Sequence, residues 1–178
     1  MLGLVHSGFY FVFNIRPTVI IPRITRYLQA IRASPPAPLT PANLKLGTAG
    51  FCWGGRYAVM LCHDTPESRA VRGTGTLRPL LDCSFTAHPA FLSIPDDFDK
   101  AIVPLSIAGG TEDELLPEKQ MAEVKKALDA KGGLHEVVVY EGAIHGFAVR
   151  GDPNDPKQAD MGLQAENQAV NWFRKHFS

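Results

Sequence analysis

The stretch Gly50-Phe51-Cys52-Trp53-Gly54-Gly55 constrains the fold of this chain more than any other, because it dictates a tight turn from a strand into a helix. The residues before it, Leu44-Lys45-Leu46-Gly47-Thr48-Ala49, read as a short buried strand, and Arg56-Tyr57-Ala58-Val59-Met60-Leu61 reads as a helix start. In the pattern G-x-Nuc-x-G the glycines either side of the apex are required, since the turn leaves no room for larger side chains. The apex residue, here Cys52, then stands at the end of the strand as a nucleophile. A glycine-rich turn around an inert buried cysteine has the same local look, so the role of Cys52 depends on what the rest of the chain delivers.

Two later segments deliver the complementary groups. Ala101-Ile102-Val103-Pro104-Leu105-Ser106-Ile107-Ala108 is an apolar strand that breaks at Gly109-Gly110 and leads through Thr111-Glu112 to Asp113. His135-Glu136-Val137-Val138-Val139-Tyr140 is a second strand, and the loop after it carries Ile144-His145-Gly146-Phe147. Cys52, Asp113 and His145 each fall just past the C-terminal end of an expected strand, where open parallel sheets place their sites. The chain order nucleophile, acid, histidine is that of an α/β-hydrolase triad. In such a triad the histidine accepts the thiol proton and later returns it, while the acid holds the ring in the right tautomer. The bland alternatives are a solvated acidic loop at Glu112-Asp113-Glu114 and a structural histidine at 145. The strand-end spacing and Pro117 favour Asp113 as the acid.

With these motifs in place the chain resembles the dienelactone hydrolases of the α/β-hydrolase superfamily. The resemblance rests on GFCWGG, on GGTEDELLP and on YEGAIHGFAVRGDP, and it runs from about residue 44 to the C-terminus. Phe11 to Arg32 also looks like the helical insertion of fungal members. The resemblance implies an α/β-hydrolase fold, mostly parallel sheet with flanking helices, and implies Cys52 as nucleophile, Asp113 as triad acid and His145 as base. The reaction implied is hydrolysis of a small ester or lactone through a thioester acyl-enzyme, a carboxylic ester hydrolysis that needs no cofactor. The backbone N–H of Trp53 is the expected oxyanion donor. Arg150 sits where family members place a basic residue near the acyl pocket, and pairing with Asp152 at the surface is its other reading. Phe147 and Trp53 are expected to form an aromatic wall, and Arg56 to lie on the solvated face of the elbow helix.

The chain departs from the family in one respect. The family's sheet continues with several strands before the elbow strand, whereas here there is space for one, near Phe9 to Phe13. The fold is therefore expected to be N-terminally truncated. The loop that carries the second oxyanion donor has no counterpart, and losing one such donor typically costs about 10²–10³ in rate. Neither the family's thiol-contacting glutamate nor its upstream substrate-binding arginine finds a match. The elbow strand becomes a sheet edge, open to self-association. A non-catalytic α/β-hydrolase-like binding protein is the competing function.

Composition bounds the remainder. At 178 residues and 45% hydrophobic content the chain holds one core. Residues 1–43 read as a basic helical segment with a Pro-rich linker, and 44–178 as the hydrolase core. Eighteen basic residues balance eighteen acidic ones, so charge gives no reason to expect nucleic acid. Residues 1–63 nevertheless contain Arg16, Arg23, Arg26, Arg32, Lys45 and Arg56 with no acidic residue. An Arg-rich amphipathic start leaves mitochondrial import as the alternative to the cytoplasm that a reactive thiol suits. Leu2 to Phe13 is apolar but too short for a membrane span. Cys62 and Cys83 sit in apolar segments as core thiols, His88 reads as a structural strand-end residue, and no zinc spacing appears. Strands are expected near 45–51, 81–87, 101–108 and 135–140, and helices near 22–32, 54–63, 117–131 and 161–176. On the last helix Val170, Phe173 and Phe177 form the expected apolar stripe.

Overall fold

Apolar strands that alternate with amphipathic helices bury both kinds of surface when the strands pair in parallel and the helices cross over them. The computed structural model, which describes residues 14–72 and 75–178, has this arrangement. Four parallel strands lie in the order β1 (Gly47–Phe51), β4 (Cys83–Ala87), β5 (Leu105–Glu112) and β6 (Glu136–Ile144). All five residues of β4 are buried, as a strand covered on both faces requires. β5 and β6 run beyond their expected ends because their pairing continues past a register shift between Gly110 and Glu112. β1 pairs only with β4 among the described residues, which leaves its other edge open. The strand expected near Phe9 to Phe13 lies outside the described residues.

A second, two-stranded antiparallel sheet, β2 (Arg69–Arg72) with β3 (Thr76–Pro79), was not among the expected elements. Its Val71 and Leu77 are 69% and 55% exposed, so the hairpin buries no apolar face whose alternation could have announced it.

Among the described residues six α-helices surround the sheet: α1 (Pro17–Ala33), α2 (Trp53–Met60), α3 (Asp96–Asp99), α4 (Glu118–Asp129), α5 (Phe147–Arg150) and α6 (Pro156–Phe177). α1 starts at Pro17 rather than near 22, with that proline in its first turn, where a missing N–H costs nothing. α6 likewise starts at Pro156, where the Asp155 side chain accepts the N–H groups of Lys157 and Gln158. On α6 the packed residues are Met161, Ala165 and Trp172, while Val170 and Phe177 of the expected stripe are 38% and 40% exposed. The polar Gln168 points inward instead. Its amide donates to Ser106 Oγ and the Ile107 carbonyl, and accepts from Tyr140 Oη.

The core divides across the sheet. One side gathers Val59, Phe98, Leu105, Ile107, Met121 and Leu128 with Leu28 of α1. The other gathers Phe85, Ala108, Tyr140, Phe147 and Trp172. Cys62 and Cys83 are both fully buried, and burial pushes each thiol up to about 12.

A charged staple ties α1 to the entrances of β1 and β4. Buried Arg32 donates to the Leu80 carbonyl at 2.7 Å, the Leu44 carbonyl at 3.0 Å and Asp82 Oδ2 at 2.7 Å. Asp82 also accepts the Leu46 N–H at 2.7 Å and pairs with Arg72. Burial alone would raise the Asp82 carboxyl, but hydrogen bonds from Arg72, the Leu46 N–H and Arg32 outweigh it and hold it below the usual range. A carboxylate depressed in the folded state binds fewer protons than its unfolded counterpart. Its contribution is present above the unfolded value near 4 and is lost as pH falls through the folded one. Asp82→Asn is expected to cost about 3 kcal/mol at neutral pH, read from urea unfolding. The difference from wild type should shrink below about pH 4. A gap unchanged between pH 7 and pH 3 would contradict this role.

Candidate active site

The site begins with a strained residue. Cys52 has φ 52° and ψ −121°, a conformation that costs a non-glycine residue about 1–3 kcal/mol. Its peptide is held from several directions. The Cys52 N–H donates to the Ala87 carbonyl at 3.3 Å, and the Cys52 carbonyl accepts from Gly55 at 3.0 Å and Ala90 at 3.2 Å. β4 and the loop after it therefore fix the turn that β1 enters.

The glycines divide into two kinds. A Cβ on Gly50 would lie 2.4 Å from the Gly54 carbonyl oxygen, and one on Gly55 would lie 2.4 Å from Thr86 Oγ1 and 2.8 Å from Pro89 Cβ. A Cβ on Gly54 would meet nothing within 4 Å. The sequence pattern assigned the steric requirement to Gly50 and Gly54. The structure moves the second requirement to Gly55, where α2 passes over β4.

The side chains named from the sequence converge. His145 Nε2 is 3.1 Å from Cys52 Sγ, and His145 Nδ1 is 3.0 Å from both carboxylate oxygens of Asp113. A carboxylate only accepts, so the Nδ1 proton faces Asp113 and Nε2 is left to accept from the thiol. Asp113 Oδ1 is fixed by the N–H groups of Leu115 at 2.8 Å and Leu116 at 3.2 Å. The His145 and Asp113 side chains are 6% and 1% exposed, while Cys52 is only partly buried. A dry acid and base thus meet a thiol that can be reached from outside.

His88, read from the sequence as a structural strand-end residue, does follow a strand end, and its ring packs beside His145. It follows β4, has φ 41°, is fully buried, and its ring lies 5.1 Å from that of His145 at 72°. Phe51 and Phe147 flank it at 6.1 Å and 5.9 Å. Neither ring nitrogen has a hydrogen-bond partner among the described residues. Burial, with repulsion from His145 next, pushes its pKa down to about 4. The signal available was its place: it follows the fourth strand end on the sheet edge that holds the other three groups.

The remaining site residues are placed unevenly. Phe147 is 2% exposed and packs between His88 and Tyr140, so it supports the histidines from within the core and does not line the outer wall. Its place at the start of α5, directly after Gly146, turns it inward. Arg150 is exposed, and its guanidinium folds over Gly146, where a Cβ would lie 2.7 Å from Nε and Nη2. Asp152 accepts from Asn154 rather than from Arg150. Arg56 is half-buried with a covered Nε, which corrects its placement on a solvated helix face. It lines a cleft of about 270 Å³ beside the elbow with Ile15, Arg16, Pro17, Trp53 and Phe91. Among the described residues no group of His, Cys, Asp and Glu side chains could hold a metal ion, and no helix is long and apolar enough to cross a membrane.

A family model for the dienelactone hydrolase family matches residues 22–177. The chain belongs to the dienelactone hydrolase family. Among relatives, the hydrolase pyvD of Aspergillus violaceofuscus is 30% identical over 132 residues, which cover 74% of this chain and 48% of that protein. The hydrolase tropI of Talaromyces stipitatus is also 30% identical over 132 residues, 74% of this chain and 46% of that one. The chain thus spans about half the length of these relatives. Among solved structures, the α/β hydrolase MGS-M1 from a deep-sea metagenome superposes with TM-score 0.61 at 16% identity, covering 86% of this chain and 63% of that one. A Thermogutta terrifontis esterase with butyrate bound gives TM-score 0.59 at 17% identity, over 83% and 63% of the two chains. The mostly parallel sheet with flanking helices is therefore an α/β-hydrolase fold, represented here from the elbow strand onward with α1 before it.

The depressed His88 value has a measurable consequence. Its folded pKa lies below the unfolded one near 6.5, so stability from the neutral ring is lost as pH falls from about 6.5 toward 4. In a ¹³C-edited NMR titration the His88 ring signal should stay unchanged from pH 8 to about pH 5. A His88 midpoint above about pH 6 would contradict the burial of this ring.

Proposed function

We propose that this member of the dienelactone hydrolase family is a cysteine-dependent hydrolase of small esters or lactones, with Cys52, His145 and Asp113 as its triad. The observation that carries this reading is the continuous contact from thiol to imidazole to carboxylate, 3.1 Å and then 3.0 Å.

The steps follow from the atoms present. His145 Nε2 takes the Cys52 proton as Sγ attacks the substrate carbonyl carbon, and the carbonyl π electrons move onto oxygen. The Trp53 N–H, first in α2, stabilises that oxyanion, aided by the positive helix N-terminus. The tetrahedral species collapses to a thioester. The bond to the leaving oxygen breaks, and His145 returns its proton to that oxygen. Water then attacks the thioester with His145 again as base, the acid leaves, and the thiol is restored. Asp113 stays an acceptor throughout and stabilises the imidazolium that forms twice per turnover.

The cleft beside Trp53 is the place for the substrate. Arg56 and Arg16 on its rim, with Arg150 across Gly146, favour a substrate that carries negative charge. A thiol nucleophile among three cysteines outside any disulfide suits a reducing compartment, and the cytoplasm is the compartment we assign. A non-catalytic binding protein is the second reading. It is favoured by the edge of β1 that has no strand partner among the described residues, the side from which the fold's second oxyanion donor comes.

Turnover of p-nitrophenyl acetate separates the two. Cys52→Ala is expected to lower kcat/KM by at least about 10³, and Asp113→Asn by about 10²–10⁴ with the fold retained. Wild-type rates in Cys52→Ala would overturn the triad assignment. A folded wild-type protein that turns over no ester but retains small carboxylates in the cleft would support the binding protein instead.

A further inference from the structure

The contacts of His145 hold the two ends of its ring but not the plane between them. Nδ1 lies 3.0 Å from both Asp113 oxygens, a symmetric contact that leaves the ring free to tilt. At the other end Nε2 meets the thiol of Cys52, a side chain that is only partly buried. The torsion that sets the ring plane joins an sp³ to an sp² carbon, and its preferences are broad. The plane is therefore left to whatever packs on the side of the ring.

His88 packs there. Its ring lies 5.1 Å from that of His145 at 72°, the edge-to-face arrangement that aromatic pairs prefer. The backbone that carries it is fixed from both sides of β4. The His88 N–H donates to the Ala108 carbonyl of β5 at 2.8 Å, while the Ala87 carbonyl and the Ala90 N–H bond the Cys52 peptide. With φ 41° the residue holds a left-handed conformation that is uncommon outside glycine, and strain of this kind clusters at functional sites. A buried stack stands behind the ring. Phe147 lies 5.9 Å from it, Tyr140 lies 5.1 Å from Phe147, and Tyr140 Oη donates to Gln168 of α6 at 2.9 Å. The His88 ring is fully buried, so it has no room to swing away. A close neighbour of a forming imidazolium must itself be uncharged. Burial, with repulsion from His145 next, meets this by pushing the His88 pKa down to about 4.

We propose that His88 is a positioning residue: its ring fixes the plane of the His145 imidazole, and with it the direction of Nε2 toward the Cys52 thiol. It acts through His145 and moves no proton of its own. The inference rests on the triad reading of Cys52, His145 and Asp113, and adds a fourth strand-end residue whose task is geometric. A misplacement of about 1 Å can cost about 10²-fold in rate, which is why a ring that only packs matters to turnover.

Alkylation of Cys52 by iodoacetamide, followed by mass spectrometry of the Cys52 peptide, tests this without requiring ester turnover. A thiol without its base is only a few per cent thiolate at neutral pH, so His145→Gln is expected to slow alkylation by at least about tenfold. His88→Asn suits the left-handed backbone but removes the ring, and should slow alkylation by at least about fivefold with an unchanged circular dichroism spectrum. His88→Phe keeps a planar, uncharged ring and should return the rate to within about twofold of wild type. With p-nitrophenyl acetate the His88→Asn loss should fall on kcat, by about tenfold or more, with KM within about twofold. A wild-type alkylation rate in His145→Gln would remove the triad reading and this inference with it. A slow His145→Gln beside a folded His88→Asn of wild-type rate, or a His88→Phe as slow as His88→Asn, would overturn the positioning role and leave the triad standing.

Discussion

The backbone at Cys52 sets the terms for everything around it. A positive φ on a residue with a side chain is unfavourable, and the fold tolerates it only because neighbours over-determine the turn. Two glycines let α2 pass close above β1 and β4, two hydrogen bonds tie Cys52 to the end of β4 and the loop beyond, and a third ties it to Gly55 of α2. Relaxing that peptide into an ordinary strand would carry Sγ away from His145. The strain is thus the means by which a thiol at a strand end is presented to an imidazole 93 residues further along the chain.

Strand order supplies the other half of the arrangement. β1, β4, β5 and β6 are neighbours in the sheet, and each delivers one group past its end: Cys52, His88, Asp113 and His145. Adjacent strands are about 4.8 Å apart, close enough for side chains leaving successive ends to touch. Asp113 is satisfied by two amides and the imidazole, while His88 contributes a buried neutral face beside His145. Water is kept from the acid–base pair, and the thiol remains open to a ligand.

The parts legible in the sequence are those encoded locally. The elbow, the two strand-end loops and the four main strands each carry their own glycines, apolar runs or chain order, and the structure has all of them. What escaped depends on which elements become neighbours. His88 gains its place only when β4 settles between β1 and β5. Gln168 turns inward because Ser106 Oγ, the Ile107 carbonyl and Tyr140 Oη lie opposite it, and a helical wheel does not show this. Gly55 rather than Gly54 takes the close contact because α2 crosses β4 at that turn. Phe147 looked like a wall of the pocket from its distance to His145, yet the left-handed Gly146 before it reverses the chain and sends the ring into the core. The start of α6 was in fact written in the sequence, as the Asp155-Pro156 pair that caps and opens a helix.

We propose that the thiol at the elbow takes the acyl group. Rapid-quench peptide mapping by mass spectrometry reads this directly, after milliseconds of mixing with p-nitrophenyl acetate at acid-quenched pH. The expected result is one acetyl group on the peptide that contains Cys52, forming before steady state and lost with time. Turnover with no label on that peptide, or an acetyl group that resides on Cys62, Cys83 or a lysine instead, would contradict it.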